Sequence, residues 1–277
     1  MDETRRARRS VVTGAGSGLG RAIAERLAGA DDQVIGTVRS PERAAALSEK
    51  AREAGLRLRF VPLELGALEQ VRATARALEA EGGVDLLVHN AGFGLFGAIE
   101  QTDDGSVAHQ FAVNLFGPLE LTRLLLPGLR ARRGRVIWIG SLAGRLSLPF
   151  QAHYSATKAA IASVSDAMRL ELAPLGVAVT CVEPGDFSTG FTDARQRAGA
   201  DDPLYRERIE RCLQAVEQQE RDGAQPALVA RAVEKLSRLK SPPARYPVGR
   251  WANTLCLLHR LLPDAVRESV VRRLYRV

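Results

Sequence analysis

Tyr154 and Lys158 stand four residues apart in Tyr154-Ser155-Ala156-Thr157-Lys158, with Ser141 thirteen positions upstream. On a helix this spacing puts phenol and ammonium on one face. An opposite charge nearby favours the ionised phenol, so the pair can trade a proton with an alcohol or carbonyl oxygen near neutral pH. Ser141 closes the apolar run Val136-Ile137-Trp138-Ile139-Gly140, which reads as a buried strand. A hydroxyl at that strand's carboxyl end, beside the Tyr–Lys helix, can bond the same oxygen. Alone, Tyr-x-x-x-Lys is a common surface pair, so the surrounding elements must carry the reading.

Those elements alternate. Strands are expected at Ser10–Thr13, Gln33–Val38, Leu58–Leu63, Val84–His89, Arg135–Gly140 and Val177–Val182. Between them the spacing predicts helices over Leu19–Ala28, Pro41–Ala54, Ala67–Glu81, a long one over Ser106–Arg130, and the Tyr154 helix to Leu172. Repeated strand–helix alternation predicts an α/β domain, a parallel sheet covered by helices on both faces. After Pro184-Gly185 the alternation breaks, and about 186–225 reads as a helical lid with a helix near Leu204–Gln219. Helix resumes at Pro226–Leu239, and Arg245–Val248 is expected as the last strand. The tail over about 250–277 carries Leu255, Leu258, Leu261 and Leu262 at helical spacing, for which core packing rather than membrane contact is expected.

The 277 residues fit one domain, 1–277, and show no repeat. A hydrophobic share of 45% and a charged share of 26% describe a globular protein. No secretory signal or membrane span is expected, and three scattered cysteines, Cys181, Cys212 and Cys256, suggest a cytoplasmic setting and form no metal-ligand pattern. The net charge of +7 comes with 35 Arg and 4 Lys, clustered at Arg5, Arg6, Arg8, Arg9 and at Arg272, Arg273, Arg276. No nucleic-acid reading motif accompanies them, so solvated termini are the expectation.

Thr13-Gly14-Ala15-Gly16-Ser17-Gly18-Leu19-Gly20 joins the first strand to the first helix. Glycines at that junction let backbone approach a pyrophosphate seated on the helix N-terminus. With this turn, the chain resembles the short-chain dehydrogenase/reductase family over roughly residues 10–190. Thr13, Gly14, Gly18 and Gly20 match its glycine pattern, and His89-Asn90-Ala91-Gly92 resembles its Asn-Asn-Ala-Gly motif with His89 in the first place. Asn114, Ser141, Tyr154 and Lys158 match its four catalytic positions, and Pro184-Gly185 with Thr189 its carboxamide-holding segment. The last third resembles retinol- and hydroxysteroid-type members more loosely.

The resemblance implies a Rossmann fold, a doubly wound parallel sheet, and a nicotinamide cofactor. Tyr154 is then the general acid/base, Ser141 binds the developing oxyanion, and Lys158 holds the ribose and lowers the Tyr154 pKa. The expected cofactor contacts are Gly14, Ser17, Gly18, Leu19, Gly20, Arg39, Glu64, Leu65, Asn90, Ala91, Gly92, Tyr154, Lys158, Pro184, Gly185, Phe187 and Thr189. In such folds an acid past the second strand takes the ribose of NAD, and a nearby Arg the extra phosphate of NADP. Val38 stands at the acid's position with Arg39 beside it, which points to NADP(H). Pro118, four residues after Asn114, frees the Asn114 carbonyl, which the resemblance would use to hold a water near Lys158.

Apolar walls are expected from Phe93, Leu95, Phe96, Leu142, Leu146, Leu148, Pro149 and Phe150, with Phe187 and Phe191 from the lid. They suit a small hydrophobic carbonyl or alcohol substrate. The other reading is a non-catalytic NADP(H)-sensing protein on the same fold, which has no need of Tyr154. Small residues at Ala156, Ala159, Ala160, Ser163 and Ala167 would let two Tyr154 helices approach closely, so a homodimer or homotetramer is expected.

Overall fold

A computed structural model describes residues 7–189, 195–198 and 202–277. In chain order the elements are β1 Arg9–Val12, α1 Gly18–Ala28, β2 Gln33–Val38, α2 Pro41–Glu53, β3 Leu58–Pro62, α3 Leu68–Ala80, β4 Leu86–His89 and β5 Leu95–Phe96. Then come α4 Asp104–Phe111, α5 Gly117–Ala131, β6 Arg135–Ile139, α6 Ala152–Leu172, β7 Ala178–Pro184, β8 Gln196–Arg197 and α7 Arg206–Arg221. The chain closes with α8 Ala227–Arg238, β9 Arg245–Val248, α9 Ala252–Leu261 and α10 Asp264–Tyr275.

Seven strands form one sheet in the order β3-β2-β1-β4-β6-β7-β9, parallel throughout. Successive side chains of a strand point to opposite faces, and the core follows that rule. Val12, Val88, Ile137 and Ile139 pack with Ile23 and Leu27 of α1 and Val229, Val233 and Leu236 of α8. Their neighbours Val11, Leu87, Val136 and Trp138 pack on the other face with Leu78 of α3, Leu121 and Leu125 of α5, and Ile161 of α6. The strand order reverses between β1 and β4, and the carboxyl ends there open the crevice where such sheets bind ligands.

Three features depart from the sequence reading. The long helix is broken: Ala112–Phe116 forms a π-helical turn around Asn114, between α4 and α5. Pro118 has no N–H to bond the Asn114 carbonyl, so regular α-helix cannot run through this point. Second, β5 and β8 make a separate two-stranded parallel sheet, pairing Leu95 with Gln196 and Phe96 with Arg197. Third, the terminal arginines are only partly solvated: Arg8 pairs with buried Asp32 at 2.7 Å, and Arg9 with Glu81 at 3.1 Å. Arg5 and Arg6 lie outside the described residues.

The lid helix α7 buries Ile209, Cys212, Leu213 and Val216 in a small third core, against which Tyr275 and Val277 pack from the tail. The tail does not pack through the leucines expected of it: Leu258 is 42% exposed and Leu261 69%. No described helix is long and apolar enough to cross a membrane, and no described His, Cys, Asp and Glu gather as a metal site.

Candidate active site

The glycine turn is held open by its neighbours. Thr13 Oγ1 accepts from the amides of Asn90 and Ala91, both at 3.0 Å, which fastens the end of β1 to that of β4. Asn90 Nδ2 donates to the carbonyls of Thr13 at 2.9 Å and Gly14 at 3.2 Å. Gly20 lets α1 sit against this knot, since a Cβ there would stand 2.3 Å from both Asn90 Nδ2 and the Gly14 carbonyl oxygen. Gly18 opens α1 at φ +53°, which favours glycine. Ser17 makes no side-chain cap, and the first turn of α1 carries no acid. The free amides of that turn therefore face the cavity with the positive end of the helix, a fit for a pyrophosphate.

This cradle is one end of a cavity of about 560 Å³. Ser17, Gly18, Leu19, Val38 and Arg39 line it, as do Glu64, Leu65, Asn90, Ala91 and Gly92. Across from them lie Pro184, Gly185, Phe187 and Thr189. A second cation escaped the sequence reading. Arg43, in the first turn of α2, lines the same end and donates from Nη2 to the Gly16 carbonyl at 3.1 Å. Its signal was there, because a helix beginning at Pro41 carries residue 43 back over the glycine turn.

At the other end Ser141, Tyr154 and Lys158 meet. Ser141 ends β6, and its Oγ accepts from the Ala143 amide at 3.0 Å. That bond occupies a lone pair and leaves the hydroxyl proton to donate. Burial pushes the Tyr154 phenol up to about 12, against the Ser141 hydrogen bond, which lowers it; Glu220 and Asp186 push it up as well. Burial takes Lys158 down to about 8. Its Nζ donates to the Ile139 carbonyl at 2.9 Å and lies 5.7 Å from the Tyr154 ring centroid. The expected lowering of the phenol by Lys158 is not among the influences on it: Ser141 and Arg195 lower it, and desolvation outweighs them. At neutral pH Tyr154 holds its proton, and the arrangement can give it to a carbonyl oxygen that Ser141 also bonds.

Asn114 is 1% exposed and braces the centre. Its Oδ1 accepts from the Phe93 amide at 3.0 Å, and its Nδ2 donates to the Phe93 carbonyl at 3.0 Å and to Thr157 Oγ1 at 3.1 Å. The π-helical turn is thereby bolted to the loop after β4 and to α6, beside Lys158.

Of the expected apolar walls, Phe93, Leu142, Leu146, Leu148 and Phe187 line the cavity. Leu95, Phe96 and Phe150 do not. Pairing of β5 with β8 draws Leu95 and Phe96 into the sheet under the lid, where the Phe96 ring lies 6.2 Å from that of Phe150. Pro149 lines a neighbouring cavity, and Phe191 lies outside the described residues. A wall supplied by lid and tail was missed: Asp186, Val216, Gln219, Glu220, Leu255 and Tyr275. Lid and tail reach the site only through tertiary packing, which sequence periodicity does not record.

A family profile described as short chain dehydrogenase matches residues 8–200. The chain is 33% identical over 273 residues to a 3-ketodihydrosphingosine reductase of Bacteroides thetaiotaomicron, with 96% of this chain and 97% of that protein covered. It is 31% identical over 270 residues to an NADPH-dependent 3-dehydrocapnine reductase of Ornithobacterium rhinotracheale, 95% of each being covered. A short-chain dehydrogenase from Streptomyces avermitilis shares its fold with a TM-score of 0.83 and 36% identity, over 98% of this chain and 97% of the other. For a short chain dehydrogenase/reductase from Burkholderia phymatum in complex with NAD the TM-score is 0.80 at 25% identity, over 95% of both chains. The matched stretch contains the glycine turn, the Ser141 strand and the Tyr154 helix that the cavity joins, and the chain belongs to the short-chain dehydrogenase family of oxidoreductases.

Proposed function

We propose that the protein is an NADP(H)-dependent reductase interconverting a hydrophobic ketone or aldehyde and its alcohol. The observation that carries this is the single cavity, which joins a phosphate cradle flanked by Arg39 and Arg43 to Tyr154 and Ser141. Val38, 6% exposed, stands where an NAD-selective site needs an acid. When bound, NADPH supplies the hydride; the chain's own residues handle the oxygen. Tyr154 passes its proton to that oxygen, and Ser141 donates a hydrogen bond to it as charge develops. Lys158, whose Nζ bonds the Ile139 carbonyl, would hold the nicotinamide ribose. The similarity to a 3-ketodihydrosphingosine reductase and to an NADPH-dependent 3-dehydrocapnine reductase supports the substrate class and the cofactor.

The test is a panel of long-chain and short-chain ketones scored by loss of NADPH or NADH absorbance. Turnover of long-chain ketones with NADPH in preference to NADH is the expected result. A protein that binds NADPH and reduces no member of the panel would instead be a nucleotide sensor.

A further inference from the structure

The substrate end of the cavity is not apolar throughout. Asp186 leaves β7 just after Pro184-Gly185, and Glu220 sits in the last turn of α7; both line the cavity. A parallel bridge between Phe187 and Ala224 brings these two distant segments together. It is closed by the Ala224 amide on the Asp186 carbonyl at 3.0 Å and by the Ser188 amide on the Ala224 carbonyl at 3.1 Å. Gly223 permits the approach, since a Cβ there would lie 2.7 Å from the Asp186 carbonyl carbon.

The charges at this end do not balance. Glu220 is matched by Arg195 at 2.5 Å. Asp186 is held above the ordinary carboxylate range by desolvation and then by Glu220, and no cation among the described residues lowers it. Among the described residues, Arg195 thus pairs with Glu220 and not with Asp186. Both carboxylates line the same cavity as Tyr154 and the partly buried Tyr275 of the tail, and both raise the two phenols. Asp186 is exposed to the open cavity, so a purely hydrocarbon ligand seated against it would take its charge out of water unpaired, which is costly. A cationic group on the ligand, near its reacting carbonyl, would neutralise it.

We infer that Asp186, supported by Glu220, is the counter-ion for an ammonium that the substrate carries next to the carbonyl facing Tyr154. The substrate class is then a long-chain amino ketone, whose hydrocarbon lies along Phe93, Leu142, Leu146 and Leu148. This rests on the reductase reading above and narrows it. Asp186 sets specificity and takes no part in the proton transfer.

The test compares 3-ketodihydrosphingosine, a 2-amino-3-ketone, with the same ketone lacking the amine, under NADPH. Wild type is expected to favour the amino ketone in kcat/KM by about 10- to 150-fold, the range of a charge-assisted contact. Asp186→Asn is expected to collapse that ratio, and Asp186→Glu to keep part of it. Because the ratio is taken within one protein, loss of folded material does not change it. An equal response of wild type to both ketones, or an unchanged ratio in Asp186→Asn, overturns the inference while leaving the reductase reading in place. If neither ketone is reduced, calorimetry with sphinganine and its des-amino analogue decides independently. Equal affinity for the two overturns the inference, and a preference for the amine that Asp186→Asn removes supports it.

Discussion

Val38 and Arg39 follow one another at the end of β2 and line the cavity beside Arg43. Val38 offers a 2′-hydroxyl no acceptor and a 2′-phosphate no repulsion, whereas the guanidiniums offer the phosphate charged donors. A contact of that kind contributes about 1.5–3 kcal/mol, so Arg39→Ala is expected to weaken NADPH by about 10- to 150-fold and to leave NADH nearly unchanged. Val38→Asp should go further, adding repulsion against the phosphate as well as a ribose acceptor. Measured cofactor affinities check both, and equal weakening of NADPH and NADH by Arg39→Ala would contradict the assignment. His89 supplies a second residue-scale prediction. Its ring stacks on Trp138 with centroids 4.2 Å apart, and its Nε2 bonds Thr122 Oγ1 at 2.6 Å. Since that hydroxyl donates to the Pro118 carbonyl at 2.9 Å, Nε2 carries the proton and the ring is neutral. Burial holds its pKa near 3, against 6.5 for the free side chain. Between those values the unfolded chain binds the extra proton and the folded chain does not. Stability should therefore fall as pH drops through the window, His89 contributing up to about 1.4 kcal/mol per pH unit. Denaturant melts of His89→Asn should show a correspondingly flatter acid limb; an unchanged limb would mean that His89 is not held neutral.

At the scale of elements, the junction of β1 with α1 depends on close approach. In Gly20→Ala the new methyl would meet Asn90 Nδ2 and the Gly14 carbonyl oxygen at 2.3 Å, neither of which can withdraw without undoing the knot to β4. A loss of about 1–3 kcal/mol or more is expected from such overpacking, together with weaker binding of either nicotinamide cofactor. A thermal melt and a cofactor titration test this, and a variant with wild-type values in both would remove the knot from the account. Much of this frame was legible in the sequence. The central strands are short apolar runs, the glycine turn sits where strand meets helix, and the Tyr–Lys spacing is itself a statement about one helical face. What was not legible depends on contacts distant in sequence. The apolar pattern of Leu95 and Phe96 reports burial without saying in which core, and their partner β8 reads Gln196-Arg197, which carries no strand signal. Phe150 was assigned to the wrong cavity wall for the same reason. Asp186, Glu220 and Tyr275 look like surface residues until lid and tail fold over the crevice. The π-helical turn at Asn114 lay between, since Pro118 announced an interruption but not its form.

At the scale of the whole molecule, α6 presents Ala156, Ala159, Ser163 and Ala167 to solvent. Near these small side chains stand large exposed ones, Leu170 at 77% and Phe116 at 55%. A face that is flat enough for backbone approach and apolar at its margin suits self-association. Light scattering at micromolar concentration is expected to give a homodimer or homotetramer, and Ala159→Arg to shift it towards monomer. A monomeric wild type would contradict this expectation without touching the reading of the site.

The central claim is that Tyr154 gives its proton to a carbonyl oxygen bound in the cavity. Burial, against the Ser141 hydrogen bond, holds that proton on the phenol at neutral pH, with a pKa near 12. The direct measurement is kcat for reduction of a long-chain ketone by Tyr154→Phe, alongside NADPH affinity from a fluorescence titration of the same preparation. General acid catalysis contributes about 10²- to 10⁴-fold, so kcat is expected to fall by at least that range while NADPH affinity stays near that of the wild type. Retention of near wild-type kcat would contradict the account.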